Sequence, residues 1–369
     1  MEAPADPAKG RILALDGWRG ISALMVVAAH LINNRYGLGN FATSDTGVLI
    51  FFVISGFIIT KLAIGEHARD GHFSVGRFYI RRSLRILPPF FAYLACVLVA
   101  SATGLIDQDP AQVYAAGAFL CFSTLVPCQW FVAHSASLGY EELFYLLFPL
   151  IFFFFAPRPR IVFGSILVGL VTFLLLRRTL HFHIGFVTLT AAMFIFICSG
   201  AVAAAFEPAI ERVARSRLGT TLWLISAAIV IARIIYASNY QVPVMTAVNP
   251  DTDTSLPLIF KLMPAAATWL VVGSLYGGNR IFAFLTWRPL LWVGRISYSL
   301  YLWQQLFTAP PQFYLVTGPL LFPPLMFAAA AAGYYWIELP CRRISRRLMA
   351  MLETKAGSIV VTKPTNLPS

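Results

Sequence analysis

Charge is the first scarcity of this sequence. Only 12% of its 369 residues are Asp, Glu, Lys or Arg, against about 25% in a soluble domain. With 58% hydrophobic residues and a mean hydropathy of +0.73, that excludes a soluble globular enzyme and points to a polytopic membrane protein. Cysteine is sparse too: there are five, scattered and odd in number, which argues against a disulfide framework and leaves Cys121 and Cys128 as a conceivable pair. There is no Gly-rich phosphate loop, no G-x-S-x-G elbow and no H-E-x-x-H helix. No internal repeat or soluble appendage is visible. His134 and the pair His181 and His183 fall in expected outer loops, where an isolated H-x-H is a weak metal signal; they read as loop histidines, and no metal site is expected. Acidic residues are outnumbered 16 to 28, a net charge of +12. Such a balance fits nucleic-acid binding, but membrane topology explains it better, because cytoplasmic loops collect Lys and Arg.

What is abundant is apolar length. Spanning a bilayer takes about 20 apolar residues. Ten such segments begin near Ile12, Thr46, Ile86, Leu138, Ile161, Ile184, Leu218, Leu256, Pro289 and Phe313, the last ending near Ile337. Val113 to Val126, bounded by Pro110 and Pro127, is too short to cross and reads as re-entrant or interfacial. The expected fold is all-α: a bundle of about ten transmembrane helices. With the N-terminus in the cytoplasm, 21 of the 28 Lys and Arg lie inside. Only Arg35, Arg177, Arg178, Arg233 and Lys261 lie outside, with Arg19 and Arg295 left within helices. Both termini are therefore expected to be cytoplasmic. Asp16 and Arg19 interrupt the first apolar run, which makes it a poor cleavable signal peptide. Residues 1–352 read as one membrane-integral domain and residues 353–369 as a short polar tail, expected to be disordered.

The chain is organised around RILALDGWRGISALMVVAAHL, Arg11 to Leu31. Arg19 and His30 are eleven positions apart, roughly 16 Å along a helix axis and within about 20° of one face. The small residues Ala23 and Val26 lie between them, so this face is suited to line a narrow channel. Ionisable groups are costly in lipid and are functional candidates by default, which makes His30 the central candidate for intramembrane chemistry.

Other polar insertions have plainer readings beside functional ones. Arg77, Arg81, Arg82 and Arg85 cluster at the entry to the third span, before Pro88 and Pro89, which mark a break. Guanidinium forks suit phosphate recognition, and a juxtamembrane anchor for anionic lipid is equally in keeping with them. Ser55 and Gly56 in mid-membrane favour close helix packing over a direct role for Ser55. Glu141 and Glu142 open the fourth span; one of them can face the interior and orient or steady an imidazole, or the pair can serve a helix N-terminus. Tyr298 and Tyr301 near Arg295 read as interfacial aromatics. Glu338, beside Arg342, either pairs with a base at the inner mouth or caps the bundle.

The order of these blocks is more specific than any one of them. LDGWRG with His30 after nine intervening residues, FFVISGFII, RRSLRILP, SLGYEELFYLLFP, GRISYSLYLW and ELPCRR follow one another along nearly the whole chain. This series resembles the acyltransferase family 3 membrane proteins, the group that includes bacterial O-antigen and exopolysaccharide O-acetyltransferases. The resemblance implies a ten-helix membrane enzyme of the bacterial cytoplasmic (inner) membrane. It would be an O-acyltransferase moving an acyl group, usually acetyl, from cytoplasmic acyl-CoA to a hydroxyl of an extracytoplasmic carbohydrate or glycolipid. The family's essential Arg and His fall on Arg19 and His30, its basic motif on Arg82 and Arg85 with Arg81 beside them, and its paired glutamates on Glu141 and Glu142. The sequence departs from the family at Gly139, Tyr140 and Leu143 around the glutamates, and at Gln304, where a late histidine is frequent. Some members carry a C-terminal esterase-like domain that is absent from this sequence, so transfer is expected from the membrane domain alone or with a partner.

On this reading Arg82 and Arg85 hold the CoA phosphates, Arg19 guides the donor, and the thioester reaches His30. The imidazole then either deprotonates the acceptor hydroxyl or carries the acyl group itself. A proton-coupled transporter or flippase using His30 as a relay is the alternative; the repeats common in transporters are not visible here.

Overall fold

The computed structural model describes residues 12–38, 43–119, 126, 128–156, 158–176, 185–240, 261–276, 280–314 and 322–361. Among the described residues the regular elements are helices. They are α1 Leu13–His30, α2 Thr43–Asp70, α3 Val75–Ala102, α4 Pro110–Gly117, α5 Trp130–Ala133, α6 Ser135–Phe155, α7 Pro159–Leu176 and α8 Gly185–Ala205. There follow α9 Glu207–Ala214, α10 Arg217–Tyr240, α11 Met263–Thr268, α12 Arg280–Leu285, α13 Arg288–Phe307, α14 Phe322–Gly333 and α15 Leu339–Val361. Wide π-helical turns continue α1 (Leu31–Arg35) and α11 (Trp269–Gly273), and a third joins α14 to α15 (Tyr334–Glu338).

Seven stretches are long and apolar enough to cross a membrane: Leu13–Asn34, Thr43–Asp70, Val75–Ala102, Trp130–Phe155, Pro159–Leu176, Phe186–Ala205 and Arg217–Asn239. The other three expected spans correspond to less apolar or shorter helices. Met263–Gly273 is apolar but short, and the first residues of the segment expected from Leu256, 256–260, lie outside the described residues. α13 has the length but carries Arg288, Arg295 and two glutamines. α14 is entered through residues 315–321, which also lie outside the described ones.

Glycine sets the two closest helix crossings. A Cβ on Gly56 of α2 would stand 1.8 Å from the Ile197 carbonyl oxygen of α8, and one on Gly200 of α8 would stand 2.1 Å from that of Val53. Only hydrogen fits at either point, so α2 and α8 touch backbone to backbone, the small-residue packing typical of membrane helices. The expected packing role of Gly56 is what the structure shows. α1 meets α13 in the same way: a Cβ on Gly294 would be 1.9 Å from the Asp16 carbonyl oxygen, and one on Gly20 would be 2.7 Å from that of Leu290. These crossings hold α1, α2, α8 and α13 at the centre. α7 buries only Phe163, and Ile161, Val168 and Leu175 point outward, as residues facing lipid do.

The α2–α3 turn is tied by charge. Glu66 is 5% exposed; its carboxylate accepts from Arg81 at 2.8 Å, and Arg77 reaches both Glu66 and Asp70 at 3.2 Å. The Ser74 hydroxyl caps α3 by accepting from the Arg77 backbone N–H.

Three local expectations change. Pro88 and Pro89 do not break α3, which runs through them. Pro88 and Pro89 leave the carbonyls of Leu84 and Arg85 without their helical donors, a loss that membrane helices tolerate; next to them, Tyr298 of α13 donates its hydroxyl to the Ile86 carbonyl at 2.9 Å. The acids do not open their helix: α6 begins at Ser135 with no acid in its first turn, so the helix-terminus reading of Glu141 and Glu142 fails. The tail is helical to Val361, in a stretch rich in strong helix formers; residues 362–369 lie outside the described ones. Of the segment expected to be re-entrant, α4 forms its first part, with Val113 and Ala116 buried. Cys128 is disulfide-bonded while Cys96, Cys198 and Cys341 are free; Cys121, like His181 and His183, lies outside the described residues.

Candidate active site

Five helices converge on a cavity with about 740 Å³ of unfilled space, open solvent included. α1 contributes Arg19, α2 Ser55, α3 Arg82 and Arg85, α6 Ser137, Glu141 and Tyr145, and α13 Ser297, Tyr298 and Tyr301. The remaining wall is apolar, including Val48, Phe51, Phe52 and Ile86. The cavity thus joins three guanidiniums to one carboxylate and a set of hydroxyls within hydrocarbon-like walls.

Helical spacing explains how each side chain arrives there. Ser137, Glu141 and Tyr145 succeed one another at four-residue steps along α6. Ser55 donates to Glu141 Oε1 at 2.6 Å and Tyr145 to Oε2 at 3.2 Å, so both carboxylate oxygens are engaged. Arg82 sits against two aromatic faces, with its guanidinium carbon 5.8 Å from the Phe78 ring centre and 5.3 Å from that of Tyr145, a cation–π arrangement. Arg19, on the cavity wall, donates through Nε to Ser297 at 3.2 Å. Tyr301 and Ser137 share a hydrogen bond of 2.6 Å.

His30 stands apart from this cavity wall. Its Nδ1 lies 2.8 Å from Gln304 Oε1, and its ring meets Trp130 edge-on at 5.0 Å between centroids. Arg19 and His30 therefore both reach α13, at Ser297 and at Gln304, as their shared helical face predicts. Between them, that face is packed rather than open. Ala23 packs into an apolar cluster with Val27, Ile296, Leu300, Met326 and Ala330, and Val26 joins the main core; small residues there admit a neighbouring helix rather than a passage.

The two acids separate. Glu141 lines the cavity; Glu142 does not, and its Oε1 is buried without a hydrogen-bond partner. The three neighbouring arginines separate likewise. Arg82 and Arg85 line the cavity, while Arg81 is held by Glu66. Arg295 is exposed on the far side of α13. Glu338 is fully buried, accepts from Ser299 at 2.9 Å and pairs with Arg342, which is near enough to Arg19 and Arg85 to repel both.

Sequence reasoning missed three features. Ser55 is a cavity residue as well as the neighbour of a packing glycine. Tyr298 and Tyr301 line the same space rather than a lipid interface. His134, expected in an outer loop, is 7% exposed at the head of α6, its ring 5.2 Å from Tyr93 and 5.7 Å from Tyr301. It continues the face of Ser137, Glu141 and Tyr145, a period that was there to be read.

An all-helical membrane bundle with an arginine-lined internal cavity, and a histidine on the same central helix, defines an intramembrane site. The family model described as "Acyltransferase domain", acyltransferase family 3, matches residues 12–339, and the chain belongs to that family. It is similar to the O-acetyltransferase OatA of Staphylococcus aureus strain NCTC 8325, 27% identical over 382 residues, covering 94% of this chain and 60% of the relative. A putative O-acetyltransferase of S. aureus strain COL is 26% identical over 375 residues, covering 90% of this chain and 57% of that one. The chain thus spans about 60% of the length of these relatives. No solved structure matches.

Proposed function

We propose that this protein is a membrane O-acyltransferase that moves an acyl group, acetyl by likeness to its relatives, from cytoplasmic acyl-CoA to a hydroxyl of an extracytoplasmic carbohydrate or glycoconjugate. The observation that carries the reading is the single cavity bringing Arg19, Arg82 and Arg85 together. Charge-assisted forks of this kind suit the phosphates of CoA, and the apolar wall suits its pantetheine arm. Arg81 is engaged elsewhere, so Arg82 and Arg85 carry the phosphate contacts. Glu141, held by Ser55 and Tyr145, offsets part of the positive charge of Arg19 and Arg82 between turnovers.

The acceptor hydroxyl gives up its proton as its oxygen bonds to the acyl carbon. The carbon–sulfur bond breaks, and the thiolate leaves as CoA and regains a proton. His30 either takes the hydroxyl's proton directly or first receives the acyl group on its ring nitrogen and passes it on. Both routes use the same ring nitrogen.

Orientation follows from charge. The α2–α3 turn, with Arg69, Arg77 and Arg81, belongs in the cytoplasm together with both termini. α3 then delivers α4 and the disulfide-bonded Cys128 to the other side, where disulfides persist.

The test is acetyl-CoA binding by calorimetry, with the protein in lipid nanodiscs. Loss of a charge-assisted bond costs about 1.5–3 kcal/mol, so Arg82→Gln and Arg85→Gln are each expected to weaken binding at least about tenfold. Unchanged affinity in both variants overturns the donor site.

A further inference from the structure

The transfer needs an unprotonated ring nitrogen on His30, and the structure specifies which one. Neutral imidazole carries one donor and one acceptor nitrogen, and the partner of the first fixes the second. The partner here is the side-chain amide of Gln304, whose two ends are told apart only by their own hydrogen bonds.

The assignment starts from a group with no freedom. The backbone carbonyl oxygen of Trp130 can only accept, and it lies 2.6 Å from the side-chain nitrogen of Gln305. Reversing that amide would press two acceptor oxygens together. Gln305 therefore donates to Trp130 and turns its own Oε1 toward Gln304, at 2.7 Å from Nε2. That oxygen accepts, so Gln304 must donate to it, which leaves Gln304 Oε1 facing His30. An oxygen that only accepts requires a hydrogen on Nδ1. Thr308, whose hydroxyl lies 3.1 Å from the same oxygen, is a compatible second donor.

We propose that the chain Trp130–Gln305–Gln304 locks His30 in the tautomer with the proton on Nδ1, leaving the Nε2 lone pair to take the acceptor proton or the acyl group. Gln304 is thus a positioning residue, and the proposal rests on the role given to His30 above. Trp130 closes the device. Its indole N–H donates to the backbone carbonyl of Gln305 at 3.0 Å, and its ring borders the imidazole, so one residue anchors the relay and limits rotation of the histidine. Gln304 and Gln305 are 0% and 2% exposed, which keeps water from competing for these bonds. The arrangement serves both halves of the cycle: once Nε2 is protonated or acylated, Nδ1 still donates to the same oxygen. For comparison, a histidine base held in the wrong tautomer loses about 10⁴-fold in serine-protease triads.

The test is ¹⁵N solid-state NMR of the full chain in nanodiscs, with histidine labelled and the His30 signals assigned by their loss in His30→Ala. Protonated and bare ring nitrogens resonate in well-separated regions. The wild type should show Nδ1 protonated and Nε2 bare at a pH where the ring is neutral. Gln304→Leu should shift population to the other tautomer, lower envelope acylation in cells at least tenfold and leave acetyl-CoA affinity within twofold. A wild-type His30 with its proton on Nε2 overturns the proposal, whether or not the variants fold. So does a Gln304→Leu protein with unchanged nitrogen signals. Full acylation by His30→Ala would instead defeat the catalytic reading, and the nitrogen spectrum would still decide the tautomer.

Discussion

Replacing Gly56 with alanine adds one carbon to the tightest glycine crossing among the described residues. The new Cβ would stand 1.8 Å from the Ile197 carbonyl oxygen, where ordinary contact begins near 3.4 Å, so α2 and α8 must part by about 1.6 Å at that level. The obstacle is backbone, which cannot rotate aside as a side chain can. Overpacking of this kind costs about 1–3 kcal/mol, and the site is at the upper end because Gly200 faces Val53 on the other side of the same crossing. The displacement also reaches the cavity. Ser55 is the adjacent residue, and its 2.6 Å bond to Glu141 does not survive a shift of that size; a misplacement of about 1 Å near reacting groups can cost about 10² in rate. Gly65→Ala is the control on the same helix: nothing lies within 4 Å of its Cβ, and alanine gains about 1 kcal/mol of helix propensity. Thermal unfolding in nanodiscs, followed by loss of the monodisperse species, should place Gly56→Ala several degrees below wild type and Gly65→Ala at or above it. Envelope acylation should fall in the first variant alone. Equal midpoints and equal acylation in the two variants would refute the backbone-contact argument.

Other perturbations separate residues that the sequence groups together. Arg342→Met leaves the fully buried Glu338 without its cation, a loss of about 3–5 kcal/mol, and adding Glu338→Gln should recover part of it in the same thermal assay. Arg81→Gln should lower stability through the Glu66 contact yet leave acetyl-CoA affinity unchanged, the opposite of Arg85→Gln. Glu141→Gln should reduce transfer far more than Glu142→Gln in cells, since only the first carboxylate lines the cavity. Trp18→Phe removes the 2.7 Å bond from the indole to Ser274 and should cost about 1 kcal/mol.

What the sequence disclosed and what it hid follow from one distinction. Helical periodicity belongs to a single segment, so the shared face of Arg19 and His30 and the apolar character of the long spans were readable. Contacts between helices were not. Nothing local says that Arg81 meets Glu66 while Arg82 and Arg85 turn inward, because adjacent residues on a helix point about 100° apart and the neighbours decide which direction matters. α13 blurs a hydropathy profile for the same reason: Ser297, Tyr298, Tyr301, Gln304 and Gln305 form a polar face that never meets lipid. Pro88 and Pro89 look like a break in sequence, and only the structure shows α3 running through both. His134 was the avoidable miss, since it extends the spacing of Ser137 and Glu141 by one more turn.

The central claim is that His30 transfers an acyl group within the membrane. Mass analysis of cell-envelope glycans from isogenic cells expressing the wild type or His30→Ala tests it most directly, with both proteins quantified in the membrane fraction. The account predicts an acyl mass increment on a glycan in wild-type cells that is absent with His30→Ala. Envelopes of equal mass, with both proteins present at equal levels, would contradict it.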